Sequence, residues 1–173
     1  MRILAVSGSL RAGSHNTELL RAAANAAPEG IVVELWEGIG DLPIYDQDLE
    51  DGDVPASVRR LRDDWAAADA ILFSTPEYNG SVPGGLKNAI DWASRPKGEA
   101  PLLNKTVAVL GASTGQFGAL WAQQDLRRIL GIAGARVVGS ELPASRAQDG
   151  FGEAVHEGLR AAVEALALSE IAV

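Results

Sequence analysis

ILAVSGSLRAGSHN, residues 3–16, sets an unbroken apolar run against a loop of glycines and small hydroxyl residues. A non-alternating run such as Ile3-Leu4-Ala5-Val6 reads as a strand covered on both faces, the habit of parallel sheets. Glycines and serines directly after such a strand turn backbone amides toward an anion. The spacing of Gly8 and Gly13 imitates the loop that holds a nucleoside triphosphate. That loop needs a lysine after its last glycine, and here Ser14 and His15 follow. The middle glycine of a dinucleotide fingerprint is absent as well. The residues suit a single phosphate: Ser9, Ser14, Asn16 and Thr17 offer short hydrogen-bonding side chains, and Arg11 a planar fork of donors. A helix starting near Asn16 adds free amides and its positive dipole end. The plain alternative is a capped helix entry after an ordinary loop.

Two further apolar runs, 70–74 and 107–111, have the same character as the first, and weaker runs at 31–35 and 136–138 complete a set of strands. Helical patterns lie between them at 16–27, 54–68, 85–94, 118–133 and 150–168, with Pro55 at the first helical position of the second. Regular alternation of strand and helix predicts an α/β fold, a doubly wound five-stranded parallel sheet of flavodoxin-like order 2-1-3-4-5 with helices on both faces. No repeat, low-complexity segment or linker interrupts it, so residues 1–173 read as a single domain. Ligands of such sheets bind beyond the carboxyl ends of the strands where the order reverses. That point lies between the loops after the first and third strands.

The loop after the third strand is TPEYNGSVPGG, residues 75–85. Pro76 and Pro83 stiffen it, and Asn79-Gly80 suits a turn with positive φ. A rigid loop with exposed amides can hydrogen-bond the edge of a planar heterocycle, with Tyr78 beside its face. After the fourth strand, Gly111-Ala112-Ser113-Thr114-Gly115 matches the nucleophile elbow of α/β-hydrolases, and Asp149 and His156 follow in the right chain order. His156 lies in a helix-like, Ala-rich segment and not on a loop, and the chain is short for that fold. A third wall of the same pocket is the better reading of Ser113 and Gly115.

Composition removes other classes. There are no cysteines, which excludes disulfides, thiol catalysis and iron–sulfur ligation, so redox chemistry has to come from a bound cofactor. The net charge of −8 opposes nucleic-acid binding. No apolar run reaches the length of a membrane span or forms a signal peptide, and a cytoplasmic protein is expected. His15 and His156 share no metal-ligand spacing. The acidic run 46–53 carries Asp51 where a calcium loop needs Gly, and reads as a solvated loop. Trp36, Trp65, Trp92 and Trp121 are expected chiefly in packing.

GSLRAGSHN, LPIYDQDLE, TPEYNGSVPGGLKNAIDW and GASTGQFGALWAQ, in this order, resemble the NADPH-dependent FMN reductases of the flavodoxin-like superfamily, a group that includes quinone, chromate and azo-dye reductases. The resemblance covers nearly the whole chain. It implies a non-covalently bound FMN, NADPH or NADH as co-substrate, and a small-molecule acceptor: quinone, flavin, chromate or azo compound. It places Ser9, Arg11, Ser14, Asn16 and Thr17 on the FMN phosphate. It places Pro76, Glu77, Tyr78, Asn79 and Gly80 along the isoalloxazine, mostly through backbone groups, and Ser113 and Gly115 near the ring system. The chemistry it implies belongs to FMN, with no catalytic side chain. Trp121 and Gln124 stand where several relatives have Arg and Tyr at a tetramer contact, so a homodimer is expected ahead of a homotetramer. The rival readings are a flavodoxin-like electron carrier without nicotinamide turnover and a flavin-free binding protein.

Overall fold

The computed structural model describes residues 1–171. In chain order the elements are β1 (Arg2–Ser7), α1 (His15–Asn25), β2 (Val32–Trp36), α2 (Gln47–Asp51), α3 (Ala56–Ala67), β3 (Ala70–Thr75), α4 (Gly84–Ala93), β4 (Thr106–Ala112), α5 (Leu120–Ile132), β5 (Arg136–Val137), β6 (Pro143–Ala144) and α6 (Glu153–Ile171). The strands form one parallel sheet in the order β2-β1-β3-β4-β5, with β6 also paired to β4. The flavodoxin-like order is therefore the one expected. β3 and β4 are buried along their whole length, which is why their sequences are apolar at consecutive positions.

Successive strand residues face opposite layers. Leu4, Val6, Ile71, Phe73, Val107 and Val109 pack with Leu61 and Trp65 of α3, Ile90 and Trp92 of α4, and Leu126 and Leu130 of α5. Ile3, Ala5, Ala70, Leu72, Ala108 and Leu110 pack with Leu19 and Leu20 of α1 and Leu159 and Val163 of α6. Trp65 sits at the centre of the first layer, edge-on to both Trp36 and Phe73 at centroid separations of 5.8 and 5.4 Å. Trp92 stacks edge-on with Tyr45 and donates its indole N–H to the Pro43 carbonyl at 2.9 Å. Three of the tryptophans are thus packing residues, while Trp121 is half exposed against Phe117.

The edge beyond β4 departs from expectation. β5 ends at Val137, the chain leaves the sheet through the left-handed Gly139, and β6 returns to the same side of β4 further along. A sixth strand therefore shares one edge position with the fifth. Proline is tolerated in β6 because edge strands need not donate on both sides. The gap is filled by Arg127 of α5, whose guanidinium donates to the Val138 and Gly139 carbonyls at 3.4 and 2.8 Å. The acidic run is also more ordered than a solvated loop. Asp46 caps α2 by accepting from the Asp48 amide at 2.9 Å, and Glu50 pairs with Arg62. Pro55 precedes the first residue of α3 by one position.

β6 docks against Gly118, which adopts φ +56° and whose missing Cβ would lie 2.5 Å from the Pro143 carbonyl carbon. Gly118→Ala is expected to destabilise the protein by about 2–4 kcal/mol through clash and backbone strain together. Urea unfolding measures this, and an unchanged midpoint would show that β6 yields freely.

Candidate functional site

Three loops meet at the carboxyl ends of β1, β3 and β4. The first, residues 8–14, continues the sheet for one step, with the Gly8 amide donating to the Ser74 carbonyl at 2.8 Å. Any side chain at Gly8 would meet Leu86 at 2.8 Å and Pro76 at 3.2 Å, so glycine lets the first and second loops converge. Ser14 caps α1, its hydroxyl accepting from the Thr17 amide at 3.3 Å. The His15 and Asn16 amides then stand in the first turn, where no intrahelical acceptor exists for them. Thr17 donates its hydroxyl to Ser7 at 2.9 Å, and Ser7 in turn accepts from the Ser9 amide at 3.3 Å. The loop is thereby tied down from beneath.

Asn16 is 3% exposed and its side chain belongs to the scaffold. Its Nδ2 donates to the Ala112 carbonyl at 3.0 Å, while its Oδ1 accepts from the Ala112 amide at 2.9 Å and the Ser74 hydroxyl at 2.8 Å. One side chain therefore joins α1 to the ends of β3 and β4. It leaves its backbone amide to the cleft.

The second loop closes on a tight turn. Tyr78 and Ser81 exchange backbone hydrogen bonds at 3.1 Å, with Asn79 and Gly80 both at positive φ between them. That is the geometry Asn-Gly favours. Glu77 turns its carboxylate away from the loop and accepts from the Ala122 amide at 3.2 Å, capping α5 from outside the helix. In the third loop the Ser113 hydroxyl accepts from the Gly115 amide at 3.1 Å. Gln123, fully buried, donates to the Gly118 carbonyl at 3.0 Å and accepts from the Leu142 amide at 2.9 Å, which fixes the loop against β6. α5 begins only at Leu120, so Ser113 does not sit on the strand–turn–helix elbow of a hydrolase, and His156 lies within α6.

Between these loops lies a cleft of about 340 Å³. Ser9, Arg11, Ser14, Asn16, Pro76, Glu77, Tyr78 and Ser113 of the expected site line it, joined by His15, Ala112 and Thr114. Thr17 supports the first loop from below, Asn79 and Gly80 form the tip of the second, and Gly115 follows the last lining residue. His15 was missed as a lining residue because the helix was expected to start near Asn16, whereas it starts at His15 behind the cap Ser14. Its Nδ1 is buried without a hydrogen bond, with Glu18 at 3.5 Å. The Arg11 guanidinium has no partner among the described residues. One end of the cleft thus offers amides, hydroxyls and an arginine, and its one carboxylate is engaged elsewhere. That donor set fits one phosphate dianion. The other end offers stiff backbone and Tyr78, 53% exposed, which fits a planar ring.

Sheet order and cleft together define a flavodoxin-like mononucleotide-binding protein. Residues 1–149 match the family described as NADPH-dependent FMN reductase, and the chain belongs to that family. It is 48% identical over 130 residues to an NAD(P)H-dependent FMN reductase of Pseudomonas aeruginosa, covering 75% of this chain and 69% of that protein. It is 40% identical over 139 residues to the quinone reductase of Escherichia coli K12, covering 80% and 73%. Among solved structures, the NAD(P)H:(acceptor) oxidoreductase FerB of Paracoccus denitrificans superposes with a TM-score of 0.83 at 34% identity, over 96% of this chain and 97% of that one. No described helix is long and apolar enough to cross a membrane.

Replacing Asn16 by Ala strands the Ala112 amide and carbonyl and the Ser74 hydroxyl. The expected cost is about 2–4 kcal/mol. Thermal unfolding of the flavin-free protein reads it without interference from ligand, and a Tm unmoved from wild type would contradict the scaffold role.

Proposed function

We propose that residues 1–173 act as one domain, an FMN-dependent NAD(P)H oxidoreductase that reduces quinones. The observation that carries this reading is the three-loop cleft at the topological switch point, with phosphate donors at one end and a rigid, open ring site at the other. Bound FMN supplies the hydride chemistry, accepting from NAD(P)H and delivering to the acceptor. The chain's own residues bind and orient it. Ser9, Ser14, the amides of His15 and Asn16, and the Arg11 guanidinium hold the phosphate, and Thr17 props that loop through its bond to Ser7. The backbone of Pro76, Glu77, Tyr78, Asn79 and Gly80 hydrogen-bonds the ring edge, while Ser113 and Gly115 close the other side.

Family membership and the names of the relatives support quinones as acceptors, because those proteins are called quinone reductases. Dependence on NAD(P)H favours the cytoplasm. The exposed Phe117, Trp121 and Ile132 on and beside α5 support a homodimer, and light scattering separates that from a tetramer.

The test is the visible spectrum of the purified protein. A flavin spectrum is expected, bleached by NADPH without air and restored by a quinone over many turnovers. A bound flavin that NAD(P)H does not reduce would favour the electron carrier. Arg11→Ala is expected to weaken FMN retention or raise the KM for NADPH by about tenfold, the loss of one charge-assisted hydrogen bond. Unchanged values of both, by flavin fluorescence titration and steady-state kinetics, would remove Arg11 from the site.

A further inference from the structure

A second cleft, of about 270 Å³, lies on the other side of the first loop, between it and the turn that follows β2. Leu10, Leu35 and Ile39 make it apolar, and Arg11, Arg21 and Glu37 supply its charges. Ser9 and Arg11 line both clefts, so the two are joined at a cation. Trp36 contributes ring surface only, since its indole N–H is donated to Asp64 at 2.8 Å.

The charges here are unusual for this chain. Of its 15 lysines and arginines, only Arg11, Arg21, Lys97 and Arg146 have no side-chain ion pair or hydrogen bond among the described residues. Two of them meet at this cleft, although the protein carries a net charge of −8 and pairs all but one of its other arginines. The Glu37 carboxylate has no partner among the described residues either, for Arg60 reaches only its carbonyl, at 3.4 Å. Two free guanidinium groups and one free carboxylate around an aliphatic floor describe a ligand with anionic, hydroxyl and flat apolar parts.

We propose that this cleft takes the adenosine diphosphate arm of the nicotinamide coenzyme. The inference rests on the NAD(P)H reading above. With its nicotinamide over the flavin, a dinucleotide would reach this neighbouring cleft with its other half, since the two clefts adjoin at Ser9 and Arg11. Arg21 binds the pyrophosphate, Arg11 stands between it and the flavin phosphate and faces both, and the adenine lies on Leu10, Leu35 and Ile39. Glu37, just past the end of β2, accepts from the ribose hydroxyls, as an acidic residue in that position does in dinucleotide-binding folds. The volume lies just under the range of about 300–1,000 Å³ usual for small-molecule sites, which suits half a dinucleotide better than a whole one. At the 2′ position NADPH carries a phosphate where NADH has a hydroxyl. The Glu37 carboxylate repels the first and accepts from the second, so this residue sets the coenzyme preference.

The experiment is a calorimetric titration of the FMN-loaded protein with ADP, which leaves the flavin phosphate site occupied. ADP is expected to bind, and Arg21→Ala to weaken it by about tenfold, the loss of a charge-assisted contact. Glu37→Gln is expected to raise the ratio of kcat/KM for NADPH over NADH by about fivefold, the scale of one charge contact at a surface cleft. The flavin spectrum of each variant reports that it has folded. No ADP binding, or equal binding by the Arg21 variant, overturns the proposal. A protein that oxidises NADH yet ignores ADP rejects this cleft and keeps the function. One that takes ADP through Arg21 but oxidises neither coenzyme keeps the cleft and rejects the function.

Discussion

The carboxamide of Asn16 is the fixed point of this molecule. It is buried at the place where α1, β3 and β4 come together, and it both donates to and accepts from Ala112 while accepting from Ser74. A carboxylate cannot donate to the Ala112 carbonyl, and an aliphatic chain satisfies none of the three groups. Two of the loops that build the cleft start from these same strand ends, and the first runs from β1 into α1 itself. Their separation is therefore set by hydrogen bonds of fixed length, and the amides of the first turn of α1 point into the cleft because the side chain of that turn is anchored behind it.

Around that anchor the cleft is made mostly of donors. Ser14 is taken up by the helix cap and Thr17 by Ser7, and Glu77 has turned away to α5. What faces the cleft at the phosphate end is backbone N–H, hydroxyl and one guanidinium. A monophosphate needs no metal to offset its charge, whereas the longer chain of a triphosphate does. With a monophosphate as its ligand, the first loop has no need of the lysine it lacks. The ring end asks for stiffness, which the two prolines and the left-handed Asn79-Gly80 pair provide.

The strands and the chemical loops were legible in the sequence because each carries its reason locally. β1, β3 and β4 are apolar at every position since both faces are covered, and the Asn-Gly turn needs only its own two residues. α1 was legible as a helical pattern from residue 16, one residue past its observed start, and the helix carrying His156 from its alanines. What was not legible depends on distant partners. β6 is two residues long and exists because β4 has an unfilled edge beyond β5. α2 hides in an acidic run and is held by the Arg62 contact to Glu50. The anchoring of Asn16, the outward turn of Glu77 and the clamp of Gln123 all act between residues far apart in the chain. The sequence marks those residues as polar and says nothing of whom they meet.

The divided edge strand has a consequence for life in a crowded cell. An open sheet edge is a template on which another chain can add a strand, and long regular edges invite association. Here the far side of β4 meets two short pieces of chain instead of one long strand, with a left-handed glycine between them and an arginine side chain bonded into the gap. Nothing straight remains there for a foreign strand to match. The interruption that makes β5 and β6 poor as strands guards this end of the sheet against aggregation.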